Sequence, residues 1–334
     1  MAQKKIRIAV DAMGGDNAPK EIIKGACLAT NKNLKIILVG QKEIIERELN
    51  NHKKKNIEIL DAREIVTNED SPAFVHKDKK DSSLIKSLEL VKNCEADGAV
   101  SAGNTGALLT AAILLLKRVS GIRRPALATP LPTSSGISLL LDSGANVDCK
   151  SLYLWQFAHM GVAYVENVMQ IKNPRVALLN IGGERGKGNS LTKDAYELLV
   201  GSRINFIGNI EARDILSGFA DVIICDGFDG NIILKYTEGF SKHIMGLLKQ
   251  ELNKNFLRKL GALLIKPAFL NLKKRFDYSR IGGAPLLGLD SIVVKAHGSS
   301  NHIAIKNAIG QCESFIKNDV AGKLSNLLSL TDDT

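Results

Sequence analysis

The sequence predicts an α/β fold of three layers, α/β/α, with a mostly parallel sheet, and three observations carry that expectation. Short apolar runs at residues 6–10, 34–39 and 57–60 alternate with amphipathic stretches of helical length, and runs of this kind are strands covered by helices on both faces. Several end in a glycine turn that opens straight into a helix, the connection from which parallel sheets are built. With 334 residues and 45% hydrophobic content, the chain is long enough for one large domain or two ordinary ones and fills a sizeable core.

Taken in order, residues 6–10 form a strand, the turn DAMGGDNAP follows, and Pro19 opens a helix running to about Asn31. A strand at 34–39, a helix at 43–50 and a strand at 57–60 complete a βαβαβ unit. The polar stretch 63–81 reads as a surface loop before a helix from Ser82 to about Cys94. Residues 98–103 bring a strand to the small-residue loop Asn104-Thr105-Gly106, and an apolar helix spans 107–116. Strands at 126–129 and 137–141, flanked by Pro125, Pro130 and Pro132, predict an edge hairpin. A polar glycine turn at 142–148 precedes a long helix from Leu152 to about Gln170. Further strands are expected at 176–179, 204–207, 220–225 and 291–295, a short helix at Glu211, and helices from Ile232 to about Asn253 and from Ser300 toward Leu330.

The stretch 175–189, RVALLNIGGERGKGN, stands out. A buried strand stops at a loop with four glycines and a central lysine, Lys187, and Ser190 is placed to cap the next helix. Backbone N–H groups of a glycine loop approach an anion closely, and a helix N-terminus with a lysine adds positive charge. This reads as an oxyanion site or as a plain strand-to-helix connection with a solvated lysine. It is neither a Walker A loop, because Gly188 follows Lys187, nor a dinucleotide fingerprint.

Composition narrows the setting. The N-terminus enters a strand without a long apolar stretch, and the longest apolar run, 107–116, is about half of what a bilayer requires, so a soluble or peripheral cytoplasmic protein is expected. Five scattered cysteines without a C-x-x-C pair fit reduced thiols, and no metal-ligand cluster stands out. The formal net charge of +10 is concentrated: residues 254–280 hold eight Lys/Arg against one acid, Asp277. A surface this basic attracts an acidic partner, an anionic membrane or nucleic acid.

Five strand-end loops share one chemistry: Gly14-Gly15-Asp16-Asn17, Gly103-Asn104-Thr105-Gly106, residues 182–189, residues Asp226 to Asn231, and His297-Gly298-Ser299-Ser300. They offer many N–H and O–H donors and few acids, which suits phosphate or a developing oxyanion. Singly each has a plainer reading: Asn17 and Ser300 as helix caps, Asn231 as a turn residue, His297 as a packed histidine. Together they favour a site at the carboxyl ends of the strands.

The segments VDAMGGDNAP, GAVSAGNTGAL, LDSGANVDC, NIGGERGKGN, DGFDGN, GAPLLGL and VVKAHGSS, spread from Val10 to Ser300, resemble the PlsX-type acyl-ACP:phosphate acyltransferases of bacterial phospholipid synthesis. The resemblance implies a fold similar to phosphotransacetylase and the isocitrate and isopropylmalate dehydrogenases. It implies a single catalytic domain over 1–334 with a basic amphipathic extension at about 254–280, acting as a homodimer without cofactor or metal. The implied reaction takes long-chain acyl-ACP and inorganic phosphate to acyl phosphate and ACP, and nucleic acid is not among the implied partners.

The family's lysine in GKGN maps onto Lys187, a compact cation for phosphate. Asn231 is then an amide donor for the oxyanion, and His297 a proton donor for the thiolate. The remaining residues of the shared loops, Gly14, Gly15, Asp16, Asn17, Gly103, Asn104, Thr105, Asp226, Ser299 and Ser300, are implied to bind substrate. Gly183, Arg185 and Ser190 depart from the family loop, which is closer to IGTEEGKGNE. In the 255–276 stretch Phe256, Leu260, Leu263 and Leu264 share one helical face and, after a break at Pro267, Phe269, Leu272 and Phe276 share another. Such stripes either pack into the core or a dimer interface or lie on an anionic membrane surface with the flanking cations on its headgroups. The resemblance implies peripheral membrane attachment, as it implies delivery of the product to a glycerol-3-phosphate acyltransferase. Rival readings are a phosphotransacetylase-like enzyme using acyl-CoA, a dehydrogenase of the related fold, and a membrane scaffold with a decayed site.

Overall fold

The structure is a computed structural model, described over residues 5–52, 56–276, 282–319 and 322. The strands are β1 (Ile6–Asp11), β2 (Leu34–Gly40), β3 (Ile57–Asp61), β4 (Gly98–Ser101), β5 (Ala126–Thr133), β6 (Gly136–Leu141), β7 (Val176–Asn180), β8 (Phe206–Glu211), β9 (Val222–Ile224), β10 (Gly283–Leu287) and β11 (Ile292–Ala296). The helices are α1 (Lys20–Ala29), α2 (Lys42–Leu49), α3 (Val75–Asp78), α4 (Ser83–Lys92), α5 (Thr105–Leu115), α6 (Ser151–Tyr164), α7 (Ser190–Val200), α8 (Gly227–Leu252), α9 (Phe256–Phe276) and α10 (His302–Lys317). Predicted strands and helices recur in this order, and the expected loop at 63–81 contains the single turn of α3.

The strands form one sheet in the order β3-β2-β1-β4-β11-β10-β5-β6-β9-β7-β8. Two parallel blocks, β3-β2-β1-β4-β11 and β6-β9-β7-β8, are joined by antiparallel pairings through β10 and β5. Alternation along the strands assigns side chains to the two faces. In β1, Ile8 and Val10 join the core formed with Ile22 and Ile23 of α1 and Ile309 of α10, while Ala9 joins the opposite core with Leu84 and Leu88 of α4 and Ala112 of α5. Leu139 and Leu141 of β6 likewise pack toward Phe157 of α6, and Leu140 toward the partly buried Ile233 and Leu234 of α8. Helices on both faces of a mostly parallel sheet are the predicted three layers.

The proline-flanked hairpin is a correction. β5 and β6 lie inside the sheet, with β10 on one side and β9 on the other. The prolines are accommodated because β10 pairs with β5 only at Ala126 and Leu127, so the half holding Pro130 and Pro132 has a free edge on that side. β10 itself is absent from the predicted strands, since Gly282, Gly283 and Pro285 disguise it.

Other boundaries shift for local reasons. Asn189, not Ser190, caps α7, its side chain accepting from Thr192 N. Helix α6 continues as a π-helical turn, Val165–Met169, ended by Gln170 at φ 59°. The fourth sheet strand of the second block starts later than 204 and extends to Glu211, with a register shift against β7. Pro267 does not break the 256–276 stretch but sits inside α9. The predicted C-terminal helix beyond residue 319, except 322, lies outside the described residues, as do 277–281 and the side chains of Phe269, Leu272 and Phe276.

Candidate active site

β1, β4 and β11 are neighbours of one parallel block, so their carboxyl ends deliver three of the five loops side by side. Asp11 closes β1 as a buried carboxylate: Ser101 Oγ donates to it at 2.7 Å and Met13 N at 3.3 Å. Burial pushes its pKa up, opposed by hydrogen bonds from Ser101 and Ser83. A Cβ on Gly14 would stand 2.3 Å from Asp11 Oδ2 and 2.8 Å from Gly103 N, so only glycine lets the first and second loops close on each other. Asp16 N donates to Gly298 O at 2.8 Å, and Asn17 Nδ2 reaches Ser299 O and Ser300 O at 3.2 and 3.3 Å. Gly15 packs between Ala102 and Gly298.

Two expected caps are thereby corrected. Asn17 laces the first loop to the last, and Pro19 stands at the start of α1. Helix α10 is capped by Asn301, whose side chain accepts from Ile303 N and Ala304 N, while Ser300 Oγ is buried without a hydrogen-bond partner among the described residues. Asn104 caps α5 by accepting from Ala107 N, and Asp226 caps α8 by accepting from Asp229 N at 2.8 Å.

The other wall starts from Asp142, a buried residue closing β6. Its carboxylate collects the backbone N–H groups of Leu127, Gly144, Ala145 and Asn146 and the Asn146 amide. Burial still leaves its pKa raised. The turn so fixed receives the start of α8: Gly227 N donates to Asn146 O at 2.7 Å, and a Cβ on Gly230 would lie 1.9 Å from Asp142 O. Asn231 is therefore set against Gly144, 3.5 Å from where a Cβ there would be.

Between the walls lies a cleft of about 1330 Å³, larger than the pockets that hold ordinary small ligands. Thr105, Ser143, Asn231, Lys235, Lys295 and His297 line its polar part. Leu131, Met245, Leu248, Leu252, Ala262 and Leu263 line its apolar part, the last five from α8 and α9. His297 Nε2 lies 3.4 Å from Lys235 Nζ and 3.6 Å from Glu238 Oε2. Ser299 N donates to His297 Nδ1 at 3.1 Å and Ser299 Oγ lies 2.9 Å from it, so Nδ1 is the acceptor and the neutral ring carries its proton on Nε2. Burial pushes the Glu238 carboxyl up, but the His297 hydrogen bond and the charges of His297, Lys235 and Lys242 outweigh it and hold the group below its ordinary value.

The structure thus brings Asn231, Thr105 and His297 to one cleft, with the loops carrying Gly14 to Asn17, Gly103, Asn104, Ser299 and Ser300 packed behind the last two. Lys187 is not brought there. It is exposed on the loop after β7, with Asn180 Nδ2 donating to its carbonyl at 3.1 Å, and that loop is tied toward β8 by Asn209 Nδ2 donating to Glu184 O at 2.9 Å. One departure in this loop has partners of its own: Arg185 pairs with Glu197 at 2.6 Å and lies over the Tyr196 ring.

Lys235, Glu238 and Lys295 were not candidates from sequence. Lys235 and Glu238 follow Asn231 at i+4 and i+7, so the helical period places all three on one face and was the available signal. Lys295 looks like a solvated lysine at a strand end until the sheet buries it.

Relatives and neighbours agree with this architecture. The profile of the fatty acid synthesis protein family matches residues 6–323. The chain is 50% identical over 332 residues to a phosphate acyltransferase of Alkaliphilus oremlandii, covering 98% of this chain and 99% of that one. It is 48% identical to a phosphate acyltransferase of Thermoanaerobacterium thermosaccharolyticum, covering 98% of each. Among solved structures, a phosphotransacetylase from Streptococcus pyogenes superimposes with a TM-score of 0.61 at 18% identity, covering 97% of this chain and 94% of that one. A 4-hydroxythreonine-4-phosphate dehydrogenase from Salmonella typhimurium, described as putative in its own name, gives 0.52 at 13% identity over 93% of this chain and 99% of that one; these two likenesses concern the fold. With half its residues shared over nearly its whole length, the chain belongs to the fatty acid synthesis protein family and is an acyltransferase.

Proposed function

We propose that this acyltransferase moves a long-chain acyl group from acyl carrier protein to inorganic phosphate, giving acyl phosphate for phospholipid synthesis. The observation that carries the reading is the cleft's lining, which joins Asn231, Lys235, Lys295 and His297 to apolar side chains of α8 and α9 that are interspersed with Lys242, Lys249, Lys259 and Lys266. The relatives' name, phosphate acyltransferase, supports phosphate as the acceptor. A phosphate oxygen attacks the thioester carbonyl, the C–O bond forms, a tetrahedral oxyanion develops, and the C–S bond breaks to release the carrier thiolate. Asn231 donates to the oxyanion from a helix start that the Asp142 turn holds in place. His297 donates a hydrogen bond from Nε2 to the departing thiolate, which takes its proton from solvent. In this reading Lys187 serves phosphate by movement of its loop toward a cleft, its own or that of a second copy.

The surface supports the partners of this reaction. Phe228, Ile232, Tyr236, Phe240, Ile244 and Leu247 are each 43–69% exposed in a row along α8, a face suited to a second copy of the chain. Phe256, Leu260, Leu263 and Leu264 are 50–80% exposed on α9 among lysines and arginines, as on a helix lying in an anionic membrane surface. Among the described residues no helix is long and apolar enough to cross a membrane. The acidic carrier is captured by the basic surface, and the acyl phosphate passes to a glycerol-3-phosphate acyltransferase.

Purified protein incubated with acyl-ACP and labelled phosphate is expected to form acyl phosphate, with a KM for acyl-ACP that rises with salt. Acyl-CoA of the same chain length, run beside it, decides the donor: equal or better use of acyl-CoA with a salt-insensitive carrier KM would replace acyl-ACP in this reading.

A further inference from the structure

Lys295 is a buried cation that the reaction as described does not use. It sits on β11 in the middle of the sheet, opposite Ser101 of β4 and Ala284 of β10, and is 8% exposed. Its ammonium donates to Ala102 O at 3.5 Å and to Ala296 O. Among the described residues no carboxylate forms an ion pair with it. Desolvating an ammonium without a counter-ion is costly, and such a group is retained where an anion comes and goes. Lys295 lines the polar end of the cleft together with Lys235, Asn231 and His297, the part where the acceptor must meet the thioester.

We propose that Lys295 is a phosphate-binding residue, whose ammonium beside Lys235 holds the inorganic phosphate that accepts the acyl group. This rests on the phosphate-acceptor reading above and deepens it. The charged groups facing Lys295 are Asp11 and Asp16 from β1 and its loop and Lys235 from α8, with His297 and Glu238 next to Lys235. Burial and then Lys235 pull its pKa down to about 8, against the opposing pull of Asp11 and Asp16. The cation is therefore present below pH 8 and lost above it, and phosphate affinity falls with it.

The test measures binding of inorganic phosphate by calorimetry without any acyl donor, together with both KM values, for the wild type, Lys295→Met and Lys295→Arg. Lys295→Met is expected to weaken phosphate binding about tenfold or more, the value of a charge-assisted contact, while the donor KM stays within about twofold and the melting temperature does not fall. Wild-type affinity is expected to drop about tenfold between pH 7 and 9, as one proton leaves a group titrating near 8, and Lys295→Arg to flatten that profile because guanidinium stays charged. Phosphate binding unchanged in Lys295→Met, or phosphate and donor affinities falling together, overturns the proposal. Should Lys295→Met not fold, the pH profiles decide: a flat wild-type profile, or the same slope in Lys295→Arg, overturns it. A wild type that makes acyl phosphate while Lys295→Met binds phosphate normally defeats this inference alone. A wild type that binds phosphate through Lys295 yet makes no acyl phosphate defeats the reaction alone.

Discussion

In its first turn α8 is wedged against the 142–146 turn, with Gly227 and Gly230 buried and Asn231 set beside Gly144. From Tyr236 onward the same helix leaves Phe240, Ile244 and Leu247 exposed and runs into α9, whose Leu260 and Leu264 are 50% and 80% exposed. The root has backbone within touching distance and no room for a methyl group; the far end has apolar side chains that stay exposed among the described residues. Close packing at the root fixes the Asn231 amide to the tolerance that its proposed role as oxyanion donor demands. Exposed apolar rows at the far end are the surfaces that the proposed second copy and membrane would cover.

That contrast is most severely tested at Gly230. Because the added group would meet the Asp142 carbonyl rather than a flexible side chain, Gly230→Val is expected to cost about 1–3 kcal/mol or more of stability and to lower kcat/KM by on the order of 10³ as Asn231 is displaced. Thermal unfolding and acyl phosphate formation measure the two effects, and wild-type values for both would show that the root is not rigid. Asn231→Ala removes the donor without touching the packing: kcat/KM should fall about 10²–10³-fold with the melting temperature unchanged. A variant that retains full turnover would move the oxyanion donor elsewhere.

Lys187→Ala should lower kcat/KM by on the order of 10² if the glycine loop reaches a cleft during turnover. Unchanged kinetics for both substrates would leave the loop as a plain connection. At the far end the expectation reverses, with binding lost and chemistry kept. Leu260→Glu with Leu264→Glu should abolish co-sedimentation with anionic vesicles while turnover of soluble acyl-ACP stays within about twofold. Loss of the dimer or of folding in this double variant would make the row structural.

The parts of this molecule that were legible from sequence are those governed by local rules. Apolar runs such as those of β1 and β2 place the strands, and the small-residue turns after β1, β4 and β11 place three of the clustered loops and the helices that follow them. Long-range pairing was not legible: the free edge that admits Pro130 and Pro132 exists only because β10 pairs with the first residues of β5. Lys187 was conspicuous because glycines surround it, yet β7 lies beyond β9, next to the last strand β8, and its loop opens outside the cleft. Lys295 was inconspicuous because burial of a lysine belongs to the sheet and not to its neighbours in sequence. Asn231, which lines the cleft, was a candidate from its segment, but Lys235 and Glu238 needed the helix to be followed two turns further.

The volume of the cleft bears on a competition. Phosphate and a few polar side chains fill only a small part of about 1330 Å³, so in the absence of an acyl chain the rest holds solvent. Under the proposed reaction water is then a second nucleophile at the thioester, present in great excess over phosphate, and every success it has yields free fatty acid in place of acyl phosphate. In that reaction the donor's own hydrocarbon would close the route, by lying along Met245, Leu248 and Leu252 and displacing the water there. The cargo would in this sense be its own stopper, and a donor too short to fill the wall is expected to lose product to hydrolysis.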